Sequence, residues 1–270
     1  MKLWLLGVRG STPAPGPNFV RYGGHTSCVG VVPEGGREPT LLLDAGTGIR
    51  TLTDKLSSDS FKGSLLVSHM HWDHVEGLPF SRALDRDSSR VDMYLPVQNG
   101  TAPRDLLAKM MSPPSFPIEP EGLHGTWTFN KVPDGQTTIE DFLVTSAEIE
   151  HKGGRTLGFR IEEGAQSVAY LPDHAPSKGM SDEAWALVEG ADVLLHDAQF
   201  TESERPIAED YGHATIEETI ALAERAGVRM LVLFHHSPVR TDAELDLLGQ
   251  DIESSVEVLF AREGMTIPVH

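Results

Sequence analysis

Short apolar runs recur along the chain with turn residues between them. Leu3 to Val8 reads as a strand. Ser27 to Val32 and Thr40 to Leu43 read as two more, split by the turn Pro33-Glu34-Gly35-Gly36. Leu65-Leu66-Val67 is a buried strand ending at Ser68. Phe142 to Ile149, Leu157 to Ile161 and Ser167 to Leu171 form a further cluster, and Val193 to Leu195 and Met230 to Phe234 are late strands. Helical spacing joins Ile216, Ile220, Ala221 and Ala223 before a stop at Gly227. A second helical spacing joins Leu245, Leu248, Ile252, Val256 and Leu259. Strands dominate early and alternate with helices late, which predicts an α/β (α+β) fold of packed sheets with helices outside. We expect one domain over residues 1–270, because no linker or internal repeat interrupts the pattern. Residues 96–125 stand apart. They hold Pro103, Pro113, Pro114, Pro117 and Pro120 among Met110, Met111 and Phe116. Such an insert is either a functional lid or a surface excursion packed by its own apolar groups.

Composition changes this picture little. The 39% hydrophobic and 23% charged content is ordinary for a globular protein, and 270 residues build a core without disulfides. The one cysteine, Cys28, suits a reducing compartment and a small core position. The apolar run after Met1 is too short for a signal peptide, and no stretch reaches the length of a membrane span. The expected location is the cytoplasm. The net charge of −18 repels polyanions at long range, and no basic stripe is visible. Long RNA or DNA is therefore not the expected substrate.

The strongest chemical signal is His69-Met70-His71-Trp72-Asp73-His74, directly after a buried strand. In an extended segment, residues i and i+2 point the same way, so His69 and His71 can grip one ion. Asp73 and His74 are then placed for a neighbouring ion. Imidazole and carboxylate suit zinc, and manganese or iron as well. Four side chains do not complete two coordination spheres. Candidates for the remainder follow later strands in the same way: His151 after Ile149, Asp173 after Leu171, and His235 after Phe234.

Together these elements resemble the metallo-β-lactamase superfamily, in the phosphodiesterase branch that includes ribonuclease Z and PhnP-type enzymes. The likeness spans nearly the whole chain. It begins at Gly7-Val8-Arg9-Gly10-Ser11 with Gly23-Gly24-His25-Thr26-Ser27, continues at Leu43-Asp44-Ala45-Gly46, and centres on His69 to His74 as the H-x-H-x-D-H signature. Tyr170-Leu171-Pro172-Asp173, Leu195-His196-Asp197-Ala198, Gly212-His213-Ala214-Thr215 and Leu233-Phe234-His235-His236-Ser237-Pro238 resemble the later segments.

The resemblance implies a four-layer αββα sandwich of two mixed sheets. It implies that His69, His71, His151 and Asp173 hold one divalent ion, and that Asp73, His74, Asp173 and His235 hold the other. His236 is the rival of His235, but the His-x-Ser-Pro register favours His235. Asp44 would orient the signature loop. His213 would touch the scissile phosphate or protonate the leaving oxygen. Asp197, shorter than the glutamate usual in the family, would orient His213. Two divalent ions bring about +4, and two carboxylates and a hydroxide subtract about 3, so an acidic protein can still attract a phosphodiester there.

Two departures narrow the expectation. Only 22 positions separate His151 from Asp173, leaving no room for the tRNA-gripping arm that ribonuclease Z places in this interval. A single cysteine cannot build the extra zinc site of PhnP-type enzymes. The expected activity is hydrolysis of a small phosphodiester, such as a cyclic nucleotide or other cyclic phosphate. A ribonuclease Z-like nuclease, or a lactam, lactone or thioester hydrolase, is the alternative. The assembly state is left open, a homodimer included. His25 is expected to bond within its loop, His174 and His196 to support the site or the core, and His124 and His270 to face solvent.

Overall fold

A computed structural model describes residues 1–250 and 252–270. Its strands are β1 (Lys2–Gly7), β2 (Cys28–Val32), β3 (Leu41–Leu43), β4 (Lys62–Leu66), β5 (Arg90–Leu95), β6 (Thr126–Lys131), β7 (Gly135–Ile139), β8 (Phe142–Glu148), β9 (Leu157–Glu163), β10 (Gln166–Leu171), β11 (Val193–Asp197), β12 (Met230–Phe234), β13 (Glu257–Phe260) and β14 (Thr266–Pro268). The α-helices are α1 (Pro103–Ala108), α2 (Asp182–Val188), α3 (Arg205–Tyr211), α4 (Ile216–Ala226) and α5 (Asp242–Gln250).

Two seven-stranded sheets result. The first runs β14-β1-β2-β3-β4-β5-β6, and the second runs β13-β12-β11-β10-β9-β8-β7. Each is mixed. In the first, β3 through β6 are parallel; in the second, β10 through β13 are parallel.

The apolar runs are continuous rather than alternating because both faces of these strands are buried. Leu3 and Leu5 enter the core between the sheets, while Leu6 joins the layer outside the first sheet. Val168 and Tyr170 likewise point between the sheets, and Ala169 and Leu171 point to the helices of the second. Three apolar layers separated by two sheets make a helix–sheet–sheet–helix sandwich, as expected.

One expectation fails. The helical spacing that runs on to Val256 and Leu259 is broken: α5 ends at Gln250, and Glu257–Phe260 is a strand beside β12. Pairing with a buried parallel strand overrides the local period. Residues 96–125 form α1 and irregular turns, and Leu106, Leu107, Met111 and Leu123 are buried in the layer outside the first sheet. Among the described residues, no helix is long and apolar enough to cross a membrane.

Candidate metal centre

The parallel strands of both sheets deliver their C-terminal ends to one edge of the sandwich, where open sheets place ligand sites. The signature segment follows β4, with Trp72–His74 forming a single 3-10 turn. Asp44 follows β3, Asp173 follows β10, Asp197 ends β11 and His235 follows β12. His151 arrives from β8.

The nine residues singled out above converge. His69, His71, His151 and Asp173 offer ligand atoms within 4.8 Å of one another, and so do Asp73, His74, Asp173 and His235. Asp173 divides its oxygens between them. Its Oδ2 lies 3.7 Å from His69 Nε2 and 3.6 Å from His151 Nε2. Its Oδ1 lies 2.9 Å from His74 Nε2 and 3.2 Å from His235 Nε2. Ligands about 2.0–2.2 Å from a tetrahedral ion lie about 3.3–3.6 Å apart. His69 Nε2 is buried without a hydrogen-bond partner, and the close approach of His74 Nε2 to Asp173 Oδ1 leaves those two buried atoms without a hydrogen bond as well. Such orphaned atoms are costly unless something else satisfies them. Two divalent ions fit this donor set.

The opposite ring atoms fix the orientation. Asp44 Oδ2 accepts from His74 Nδ1 at 2.7 Å, from Tyr170 Oη at 2.8 Å and from Ser68 Oγ at 2.8 Å. Ser68 N donates to its Oδ1 at 2.7 Å. Gly212 O accepts from His151 Nδ1 at 2.6 Å. Gly212 closes α3 in the left-handed region, φ 79°, which aims that carbonyl. His236 turns away: its Nε2 donates to Ala261 O at 2.9 Å, and it packs against Tyr22 and Phe260. His235 is thus the residue that faces the carboxylates.

Charge separates the imidazoles. Burial pushes the pKa of His69 well down, aided by His74, and lowers those of His71 and His151. Burial also opposes charge on His74, but Asp173, Asp73 and Asp44 outweigh it and raise its pKa well above the ordinary value. Burial likewise opposes charge on Asp73, yet His74 and His235 hold its carboxyl well below the usual range.

His213 lines the same cavity, of about 560 Å³, with Asp73, Asp173 and Lys152. Its Nδ1 donates to Asp197 Oδ2 at 2.7 Å, so the shorter acid reaches it. Three backbone groups also hold Asp197: Gln199 N at 3.0 Å, His174 N at 3.2 Å and Ala214 N at 3.4 Å. Burial disfavours the His213 cation, but Asp197, and then Asp173 and Asp73, lift its pKa to about 9. A protonated His213 can donate to an oxygen leaving in the cavity.

Sequence reasoning missed several contributors. Ser11 N donates to Asp73 Oδ2 at 2.6 Å from a left-handed backbone, φ 63°. Gly10 makes that approach possible, since a Cβ there would meet His235 Nδ1 at 2.3 Å. Tyr170, read only as part of a strand and of the segment ending at Asp173, donates to Asp44 Oδ2. Trp72, 76% exposed, and Tyr211, 57% exposed, line the mouth. His25 Nδ1 lies 3.2 Å from Thr47 Oγ1, on the segment after β3 rather than within its own loop. His174 and His196 are a buried pair, Nδ1 to Nε2 2.8 Å.

Residues 40–236 match the beta-lactamase superfamily domain. The ribonuclease Z of Natronomonas pharaonis is 23% identical over 288 residues, covering 88% of this chain and 87% of that one. The metallo-beta-lactamase fold protein YhfI from Bacillus subtilis superposes with a TM-score of 0.74 at 20% identity, covering 99% of both chains. A diphosphatase from the PhnP family superposes at 0.73 with 18% identity, covering 100% of this chain and 98% of that one. The chain belongs to the metallo-β-lactamase superfamily.

Proposed function

We propose that this metal-dependent hydrolase cleaves a small phosphodiester, with cyclic nucleotides and other cyclic phosphates as the substrate class. The observation that supports it is the His213–Asp197 pair beside two ligand sets that share Asp173. His69, His71, His151 and Asp173 would hold one ion, and Asp73, His74, Asp173 and His235 the other. When bound, two divalent ions supply an activated water near neutral pH and a clamp on phosphoryl oxygens. Zinc suits the donor set, and manganese or iron is accommodated by the same ligands. His213 holds the proton that the departing alkoxide needs, and Asp197 fixes the ring and stabilises its charge. Asp44 keeps His74 aimed.

A small substrate is favoured by the net charge and by the short span from His151 to Asp173, which β9 and β10 fill. Likeness to ribonuclease Z over most of its length supports RNA as the second reading. The chain acts as one domain over residues 1–270, with 96–125 as an insert packed outside the first sheet rather than a separate unit. The lone Cys28 favours the cytoplasm.

The test is a screen of cyclic and linear phosphodiesters and a precursor tRNA with zinc-, manganese- and iron-loaded protein. Turnover of cyclic nucleotides or chromogenic diesters supports the proposal. Cleavage of the tRNA alone replaces it with the RNA reading, and turnover of lactones or thioesters alone overturns both.

A further inference from the structure

A second cavity, of about 360 Å³, lies beside the catalytic one, and Trp72 forms a wall of both. Each volume falls within the roughly 300–1,000 Å³ of small-molecule sites. The second cavity is walled on one side by the turn after the signature, with Val75, Glu76 and Phe80, and on the other by Met110 and Phe116 of the 96–125 insert. Phe80 and Phe116 meet edge to face, with ring centroids 5.9 Å apart. Phe80 is 60% and Trp72 76% exposed, and aromatic faces left open together around one cavity mark a binding surface.

Flat aromatic walls call for a flat ring. The shared Trp72 sets that ring beside the cavity lined by Asp73, Asp173 and His213. We propose that this cavity is the nucleobase subsite, with the base stacked on its aromatic walls. The proposal rests on the phosphodiesterase reading and deepens it. It also accounts for the 96–125 insert, whose Met110 and Phe116 close over the base.

The test compares two esters with one leaving group, guanosine 5′-(p-nitrophenyl phosphate) and methyl p-nitrophenyl phosphate, on the metal-loaded enzyme. Aromatic stacking is worth about 1–3 kcal/mol per base, so kcat/KM should favour the guanosine ester at least about tenfold. Phe116→Ala should cut that ratio about tenfold, and Phe80→Ala, at a more exposed site, should cut it without risk to folding. A guanosine-to-methyl ratio near one, or one that no variant changes, overturns the subsite while leaving the phosphodiesterase reading intact. If neither ester is cleaved, the phosphodiesterase reading is decided by the wider screen above, and the subsite is judged by calorimetry with guanosine monophosphate. Weaker binding to Phe116→Ala and Phe80→Ala than to the wild type supports it; equal binding overturns it.

Discussion

Histidine dominates the proposed ligand set of His69, His71, His151 and Asp173, whereas two carboxylates and two histidines form the proposed set of Asp73, His74, Asp173 and His235. Burial keeps the three imidazoles of the first set neutral, ready to ligate. In the second set, carboxylates hold a proton on His74 that an ion must displace. The second set is also the better braced. All four members are buried, Asp44 grips His74, and Ser11 N grips Asp73. In the first set, His71 and His151 are partly exposed. Similar donors would thus make one site that is open and neutral near physiological pH, and one that is rigid and proton-gated.

The sharpest way to break this contrast is to remove one ligand from each set. Asp73→Ala should lower kcat/KM by about a thousandfold or more, because an ion supplies several kcal/mol of charge stabilisation. His71→Ala should lose less, since solvent can fill a half-open position. Equal losses, with metal content measured alongside, would remove the asymmetry. His213→Ala comes next. It should cost at least about a hundredfold, the usual share of a positioned proton donor, and keep both ions. His213 acts while protonated, so its contribution is present at low pH and lost as pH rises through about 9. In Asp197→Asn the raising charge is gone, and that alkaline limb should move to lower pH. A pH–rate profile identical to the wild type would detach Asp197 from the proton.

These residues were not equally legible in the sequence. Three histidines and an aspartate in one segment announce a metal site without any neighbours. His151, Asp173 and His235 were legible only as repeats of one geometry, a strand followed by a ligand, and His213 and Asp197 only through the resemblance. Ser11 and Gly10 act through backbone, an amide and a missing Cβ, which leave no ligand-type residue to notice. Of the strands missed, β6, β7, β13 and β14 are the edges of the two sheets, and β5 alternates buried with half-buried positions instead of forming an apolar run. In β6 and β7 exposed polar positions dilute the pattern further. The helical spacing carried on to Leu259 shows the limit of a local period where a distant strand supplies the pairing.

Smaller effects probe the bracing itself. Asp44→Asn should weaken binding of the second ion by about 10–100-fold, the usual cost of losing a partner behind a ligand. The first ion should change little, which competition with a metal-sensitive dye can resolve. The proton on His74 gives a companion test. Affinity of the second set should rise about tenfold per pH unit below the pKa of His74, because binding releases that proton. The first set, already neutral, should show a flatter dependence over the same range. Two equally steep sites would contradict the charge assignment.

The mildest variant is Tyr170→Phe, which removes one donor from Asp44 and nothing else. A hydrogen bond to a charged group is worth about 1.5–3 kcal/mol, but a carboxylate that keeps other donors loses less than one left bare. Asp44 retains Ser68 N, Ser68 Oγ and His74 Nδ1. The expected loss is about 1 kcal/mol in denaturant unfolding, with less than tenfold weakening of the second ion. Tyr170 stands in the core between the sheets, and its ring still packs against Phe234 in the variant. A loss near that of Asp44→Asn would mean that the tyrosine, reaching from the second sheet to the first, sets the carboxylate's position. The rigidity of the second set would then come from the packing of the sheets as well as from the signature loop.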